Sequence, residues 1–281
     1  MKPEDYNTQN KPVWCPGCGN FGILMAVKQA FAKADLKKKE TVVVNGIGCS
    51  DKYHQYIDTY GFESIHGRIL PVAMGLRLAN HKLKVVCIGG DGDGYGIGMC
   101  HFIHAMRRNL DVTYIVCNNQ IYGLTTGQTS PTSEKGFETK STPNGNIEPP
   151  VNPIALALAS GATFIARGFA GEVPYLRDLI IEGLNHKGFS LIDVFQPCVT
   201  FNHKNTYEWF NDKLYKLEDH DPKDRDAAVA KASETDKLPI GIFYREEKPT
   251  YEDEIEQISR KPLVEQDISG VKMDDLLDEL S

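Results

Sequence analysis

Gly89-Gly90-Asp91-Gly92-Asp93-Gly94 follows the apolar run Val85-Val86-Cys87-Ile88, and Asn118-Asn119-Gln120-Ile121-Tyr122-Gly123 follows a second apolar run over 112–116. Between the two lies one helix-period stretch, over 97–108. Strand, loop, helix and strand in that order predict a parallel pair joined by a crossover. Both loops then leave carboxyl ends of strands, the edge where open α/β sheets bind ligands. Glycines let the backbone approach phosphate oxygens, and amides at a following helix start donate to them. A divalent cation bridging a diphosphate needs oxygen ligands. Asp91, the side-chain oxygen of Asn119 and the carbonyl of Ile121 supply that donor type, with Asn118 the competing choice for the second place. Gly-Asp-Gly alone reads as an ordinary turn; the pair of loops is what carries the argument. A dinucleotide fingerprint fits poorly, since it calls for an acidic ribose ligand on the next strand, and that strand ends in Cys117-Asn118-Asn119.

The alternation continues along the chain. Further strands are predicted over 42–44, 163–166, 191–195 and 240–244. Helices are predicted over 21–34 with Asn20 as cap, 72–80, 153–159 after Asn152, and 173–185. The fold class is therefore α/β, a parallel sheet with helices on both faces. The stretch 125–150, rich in Thr, Ser, Gly and Pro, is too long for an ordinary connection and reads as functional or disordered. Beyond 201 the composition turns polar and acidic, and 274–281 reads as a short amphipathic or disordered tail. Residues 1–200 are expected to form the main domain and 201–281 a C-terminal extension.

At 281 residues and 41% hydrophobic composition the chain can bury a sizeable core. The opening MKPEDYNTQNKP is polar, and no run approaches the roughly 18 apolar residues of a spanning helix. A cytoplasmic protein is expected, neither secreted nor in a membrane. A net charge of −7 argues against nucleic acid as the main ligand.

Seven cysteines without a leader sequence speak against a disulfide framework. Cys87, Cys100 and Cys117 sit in or beside apolar runs, where a thiol behaves as a small hydrophobe. The other four differ. Cys15-Pro16-Gly17-Cys18 places two thiols one turn apart before a helix, whereas Cys49 and Cys198 each lie just past a strand end. Parallel strands bring such ends to one edge, so the four are expected to converge. Four thiolates suit structural zinc or a [4Fe–4S] cluster, and spacing alone leaves both open.

Taken with their loops, these residues resemble the beta subunits of the 2-oxoacid:ferredoxin oxidoreductases. The resemblance is carried by WCPGCG near the start, GIGCS after the first strand, GFESIHGR at 61–68, the GDGD loop, GLTTGQTSPT at 123–132 and the late QPC. It covers most of 12–210 and implies a thiamine diphosphate-binding fold. It implies that Cys15, Cys18, Cys49 and Cys198 hold one [4Fe–4S] cluster, and that Asp91, Asn119 and Ile121 hold Mg2+. Ile47, Gly48, Cys49, Ser50, His66, Gly90, Gly92, Asp93, Gly123 and Leu124 join the last three in contacting the cofactors, with His66 near the reacting end of thiamine. A lone His is more often structural; its His-Gly-Arg context raises it above that.

The implied reaction is oxidative decarboxylation of a 2-oxoacid to acyl-CoA and CO2, with coenzyme A as co-substrate and ferredoxin as electron acceptor. The stretches at 61–68 and 124–132 point to 2-oxoglutarate over pyruvate. Thiamine enzymes take the acid that activates the aminopyrimidine ring from a second domain, and this chain has room only for the diphosphate-binding one. An alpha subunit is therefore implied, in an αβ or (αβ)2 assembly. Lys33, Lys37, Lys38 and Lys39 would attract an acidic ferredoxin, although a solvated helix end is the simpler reading. Two alternatives stand beside this one, a non-redox thiamine decarboxylase half and a zinc-stapled nucleotide-binding module. The four cysteines weigh against the first and the paired loops against the second.

Overall fold

The computed structural model describes residues 1–267, 269–270 and 273–278. Ten strands form: β1 (Thr41–Asn45), β2 (Tyr60–Glu63), β3 (Lys84–Gly90), β4 (Thr113–Asn118), β5 (Ile121–Tyr122), β6 (Gln128–Thr129), β7 (Phe164–Phe169), β8 (Ser190–Phe195), β9 (Leu214–Lys216) and β10 (Leu238–Arg245). Eight of them make one sheet in the order β2-β1-β3-β4-β8-β7-β10-β9, and β5 and β6 pair as a separate hairpin. From β2 to β7 the sheet is parallel. The expected parallel sheet is present, with β10 running antiparallel to β7 at one side. After β8 the chain stays at the carboxyl edge, where Phe210 packs on Phe169 and Phe195. It enters β9 from that side, and β10 pairs parallel with β9.

The helices that cover this sheet are α1 (Asn20–Lys33), α2 (Tyr53–Tyr56), α3 (Ile69–Ala79), α4 (Met99–Arg107), α5 (Pro153–Ala159), α6 (Val173–Asn185), α7 (Tyr207–Lys213) and α8 (Arg225–Ala232). Strand side chains alternate between two cores. Val43, Val86, Ile88, Ile115, Ile192 and Val194 pack with α1 and α6. Val42, Val44, Val85, Val116, Leu191 and Phe243 pack with α3, α4, α5 and α8. Each such side chain contributes about 1.5–3 kcal/mol on full burial, so both faces fix the register that sets the strand ends. Cys87 and Cys117 are wholly buried, one in each core, while Cys100 is exposed on α4 instead of packing as an apolar residue.

Several boundaries shift from expectation for local reasons. Asn20 is the first residue of α1 rather than its cap; its side chain is buried and accepts from the Tyr53 hydroxyl at 3.1 Å. α3 starts at Ile69, three residues early, since Pro71 is tolerated in a first turn whose amides need no helical partner. A π-helical turn, Gly92–Ile97, precedes α4. The segment after 200 contributes β9 and β10 to the main sheet, and Glu252 there forms a buried ion pair with Arg77 at 2.7 Å. In the expected tail the structure describes a helix, Met273–Asp278, and 279–281 lie outside the described residues. Among the described residues no helix is long and apolar enough to cross a membrane.

Candidate active site

The ends of β1, β3 and β4 open into a cleft of about 690 Å³, within the range of small-ligand and cofactor sites. Every residue expected to contact the organic cofactor lines it: Ile47, Gly48, Cys49, Ser50, His66, Gly90, Asp91, Gly92, Asp93, Asn119, Ile121, Gly123 and Leu124. Asp91, at the end of β3, is buried. Its Oδ2 accepts from Ser130 at 2.5 Å and Thr132 at 2.6 Å. Burial pushes its carboxyl up to about 6, against the pull of those hydroxyls. Gly92 is required here, since a Cβ would overlap the Tyr122 ring. Gln120, with φ of +58°, turns the chain between Asn119 and Ile121, and the Asn119 side chain accepts from the Ile121 amide at 3.1 Å. Asn118 points elsewhere, giving Nδ2 to Asp193 and taking a hydroxyl bond from Thr132 at 2.9 Å.

Deeper in the cleft Asp93 accepts from the amides of Gly67 at 2.8 Å and Ile47 at 3.3 Å. His66 Nδ1 stands 2.9 Å from the Ile47 carbonyl and 3.1 Å from Asp93 Oδ1. A carbonyl only accepts, so Nδ1 carries the proton and Nε2 is left to exchange one. Asp51 is a third buried acid lining the cleft, with Oδ1 held by the Gly46 amide at 2.9 Å and Oδ2 without a hydrogen-bond partner among the described residues. Burial and then the charge of Asp93 hold Asp51 well above the usual carboxylate range.

Beside the cleft lies a smaller cavity of about 100 Å³, lined by Cys15, Cys18, Cys49 and Cys198. Three segments build it. Trp14 donates its indole N–H to the Cys49 carbonyl at 2.6 Å and packs against Phe21, Tyr53 and Tyr56. The Gly19 amide bonds the Pro197 carbonyl at 3.1 Å, which ties the start of α1 to the Cys198 loop. Burial pushes the Cys18 thiol up to about 12 and Cys49 up to about 11, and the neighbouring thiols add to both. Backbone amides at Phe201, Thr200 and Asn202 oppose the same effect at Cys198. Among the described residues no three His, Cys, Asp or Glu side chains are grouped to hold a single metal ion. The four thiols line one shared space, a donor set that suits a polynuclear iron–sulfur group.

Cys49, Asn119, Gly123 and Leu124 line both cavities. At Gly123 a Cβ would come 3.6 Å from Cys49 Sγ and 3.7 Å from Cys198 Sγ. The basic run is not at this edge. Lys33 ends α1, about 20 Å along the helix from Cys18, and Lys33, Lys37 and Lys38 pair with Asp178, Glu40 and Asp58. Sequence reading missed Asp51, Ser130 and Thr132. The hydroxyls sat in a stretch quoted for resemblance without roles, and nothing local distinguishes Asp51 from a surface acid.

The family of thiamine pyrophosphate enzyme C-terminal TPP-binding domains matches residues 46–194, which hold both diphosphate loops, so the chain is an enzyme subunit of the thiamine diphosphate-binding class. Residues 198–260 match the C-terminal region of pyruvate ferredoxin oxidoreductase beta subunits. Subunit beta of 2-oxoacid:ferredoxin oxidoreductase 1 from Aeropyrum pernix is 49% identical, over 90% of this chain and 84% of that one. The 2-oxoglutarate synthase subunit KorB of Archaeoglobus fulgidus is 38% identical, over 92% and 95%. A solved 2-oxoglutarate:ferredoxin oxidoreductase from Magnetococcus marinus, with 2-oxoglutarate, coenzyme A and succinyl-CoA bound, superposes with a TM-score of 0.93 at 37% identity, over 100% of this chain and 96% of that one. The chain belongs to the beta-subunit family of the 2-oxoacid:ferredoxin oxidoreductases.

Proposed function

We propose that this chain binds thiamine diphosphate through Mg2+ in the larger cavity and one [4Fe–4S] cluster in the smaller. It would thus form half of a unit that converts 2-oxoglutarate and coenzyme A to acyl-CoA and CO2, with electrons passed to ferredoxin. The observation that carries this reading is the shared wall of Cys49, Asn119, Gly123 and Leu124, which puts the oxygen-donor site and the thiol site back to back. When bound, thiamine diphosphate supplies an electron sink for loss of CO2 and the cluster supplies a one-electron acceptor. The chain's own residues do the rest. Asp91, Asn119 and the Ile121 carbonyl hold the cation. Gly90 and Gly92 let the backbone approach the diphosphate. His66, held at Nδ1 by Ile47 and Asp93, gives or takes a proton at Nε2.

The preference for 2-oxoglutarate rests on the Archaeoglobus and Magnetococcus relatives, whose names carry that substrate. The need for an alpha subunit rests on the single sheet domain and on exposed apolar side chains at and around the cleft mouth, including Ile47, Ile65, Ile97 and Leu124. The test is an anaerobic assay of the copurified complex with 2-oxoglutarate, pyruvate and other 2-oxoacids, coenzyme A and a viologen acceptor. The highest kcat/KM is expected with 2-oxoglutarate. The lone chain loaded with thiamine diphosphate and Mg2+ is expected to be inactive, and turnover by it at the rate of the complex would overturn this division of labour.

A further inference from the structure

Asp193, near the end of β8, is fully buried and accepts three hydrogen bonds. Arg167 Nε on β7 donates to Oδ2 at 3.0 Å, while the Tyr95 hydroxyl and Asn118 Nδ2 donate to Oδ1 at 3.0 and 3.1 Å. Arg167 also lies over the rings of Phe195 and Phe243, at 4.8 and 5.5 Å. For stability alone such a pair is a poor investment, because well-packed apolar residues of similar volume often do as well or better. The other two donors suggest what the charge does. Tyr95 belongs to the turn that follows Asp91, and Asn118 adjoins Asn119. With Nδ2 committed to Asp193, the Asn118 amide turns Oδ1 toward Thr132, whose hydroxyl is 2.9 Å from it and 2.6 Å from Asp91 Oδ2. A hydroxyl has one proton to donate, so Asn118 and Asp91 share a single donor and their orientations are coupled.

We propose that Asp193 is a positioning residue for the divalent-cation and diphosphate site, acting through Asn118 and Thr132 on the Asp91 carboxylate. The inference rests on the functional reading above and adds to it a residue on a different strand. Outer partners of this kind typically change metal affinity by about 10–100-fold when lost. The test uses the copurified complex stripped of Mg2+ and thiamine diphosphate by chelation. Two quantities are measured, the calorimetric affinity for Mg2+ with thiamine diphosphate and the Tm of the stripped complex. Asp193→Asn is expected to weaken the affinity by about 10–100-fold. Asp193→Leu combined with Arg167→Met removes both charges but leaves the Tyr95 hydroxyl and Asn118 Nδ2 without an acceptor; the stripped Tm is expected to fall while the complex still folds, and the affinity to stay weakened, a loss that a merely structural ion pair would not produce. Thr132→Val leaves the Arg167–Asp193 pair intact and is expected to weaken binding by the same route. If Asp193→Asn does not fold, the double replacement and Thr132→Val decide. Wild-type affinity in any variant that folds overturns the proposal. A wild-type complex that takes up no thiamine diphosphate with Mg2+ would instead overturn the functional reading, and this inference with it.

Discussion

The two cavities at the carboxyl edge share a wall and differ in nearly everything else. The larger is lined chiefly by oxygen-bearing residues on loops that follow β1, β3 and β4. The smaller is lined by thiols from three segments far apart in sequence. Hard oxygen donors suit Mg2+ and soft thiolates suit iron, so one sheet edge offers two chemically distinct sites in contact. The difference teaches that adjacency here comes from topology, whereas selectivity comes from donor type. Loss of one site should therefore leave the other standing.

The largest effect is expected from Cys198→Ser. Iron should be lost from the anaerobically purified complex while thiamine diphosphate still binds, and Cys87→Ser should keep its iron. Iron analysis checks both, and retained iron in the Cys198 variant would break the assignment of the smaller cavity. Next comes Asp91→Ala, which removes a proposed buried ligand rather than an outer partner. Affinity for Mg2+ with thiamine diphosphate should fall by more than about 100-fold, with iron unchanged. If calorimetry finds Asp91→Ala normal and Asp93→Ala defective, the cation has been placed in the wrong half of the loop. Chelation at neutral pH should sharpen the same contrast by releasing thiamine diphosphate and leaving the iron.

The smallest effect lies away from both cavities. Burial holds the His186 imidazole down to about 4, with its Nε2 2.8 Å from the Thr163 hydroxyl. In the unfolded chain a histidine takes up its proton near pH 6.5. Between those values the unfolded state binds more protons, so stability falls as pH drops through the window and is unaffected above it. His186→Gln should flatten the decline of Tm from about pH 6.5 to 4, and an unchanged slope would place the acid sensitivity elsewhere.

How far each cavity was legible follows from the same contrast. The proposed diphosphate site is two local loops, each readable as glycine and oxygen donors after a strand, and their residues line one cleft. Asn118 stood as a rival to Asn119 in the sequence because nothing local announces that its amide engages Asp193 on another strand. The thiol site was legible too, but less directly. Cys15 and Cys18 stand as a spaced pair, but bringing in Cys49 and Cys198 required the strands to be parallel. The exposed edge strand β2 lacks an apolar run to announce it. β10 was legible as a strand over 240–244 but its antiparallel direction was not, because direction depends on where the preceding chain runs and not on the strand's own residues. Asp51 was missed because burial, not sequence context, makes that acid unusual.

The central claim is that electrons released in the larger cavity reach the smaller one. The direct measurement is the visible absorption of the anaerobically purified complex, containing thiamine diphosphate and Mg2+, before and after addition of 2-oxoglutarate and coenzyme A without an external acceptor. The account predicts a coloured iron–sulfur protein that bleaches on substrate addition, with no bleaching in the Asp91→Ala complex. A colourless complex that contains zinc, or a coloured one whose spectrum substrate leaves unchanged, would contradict it.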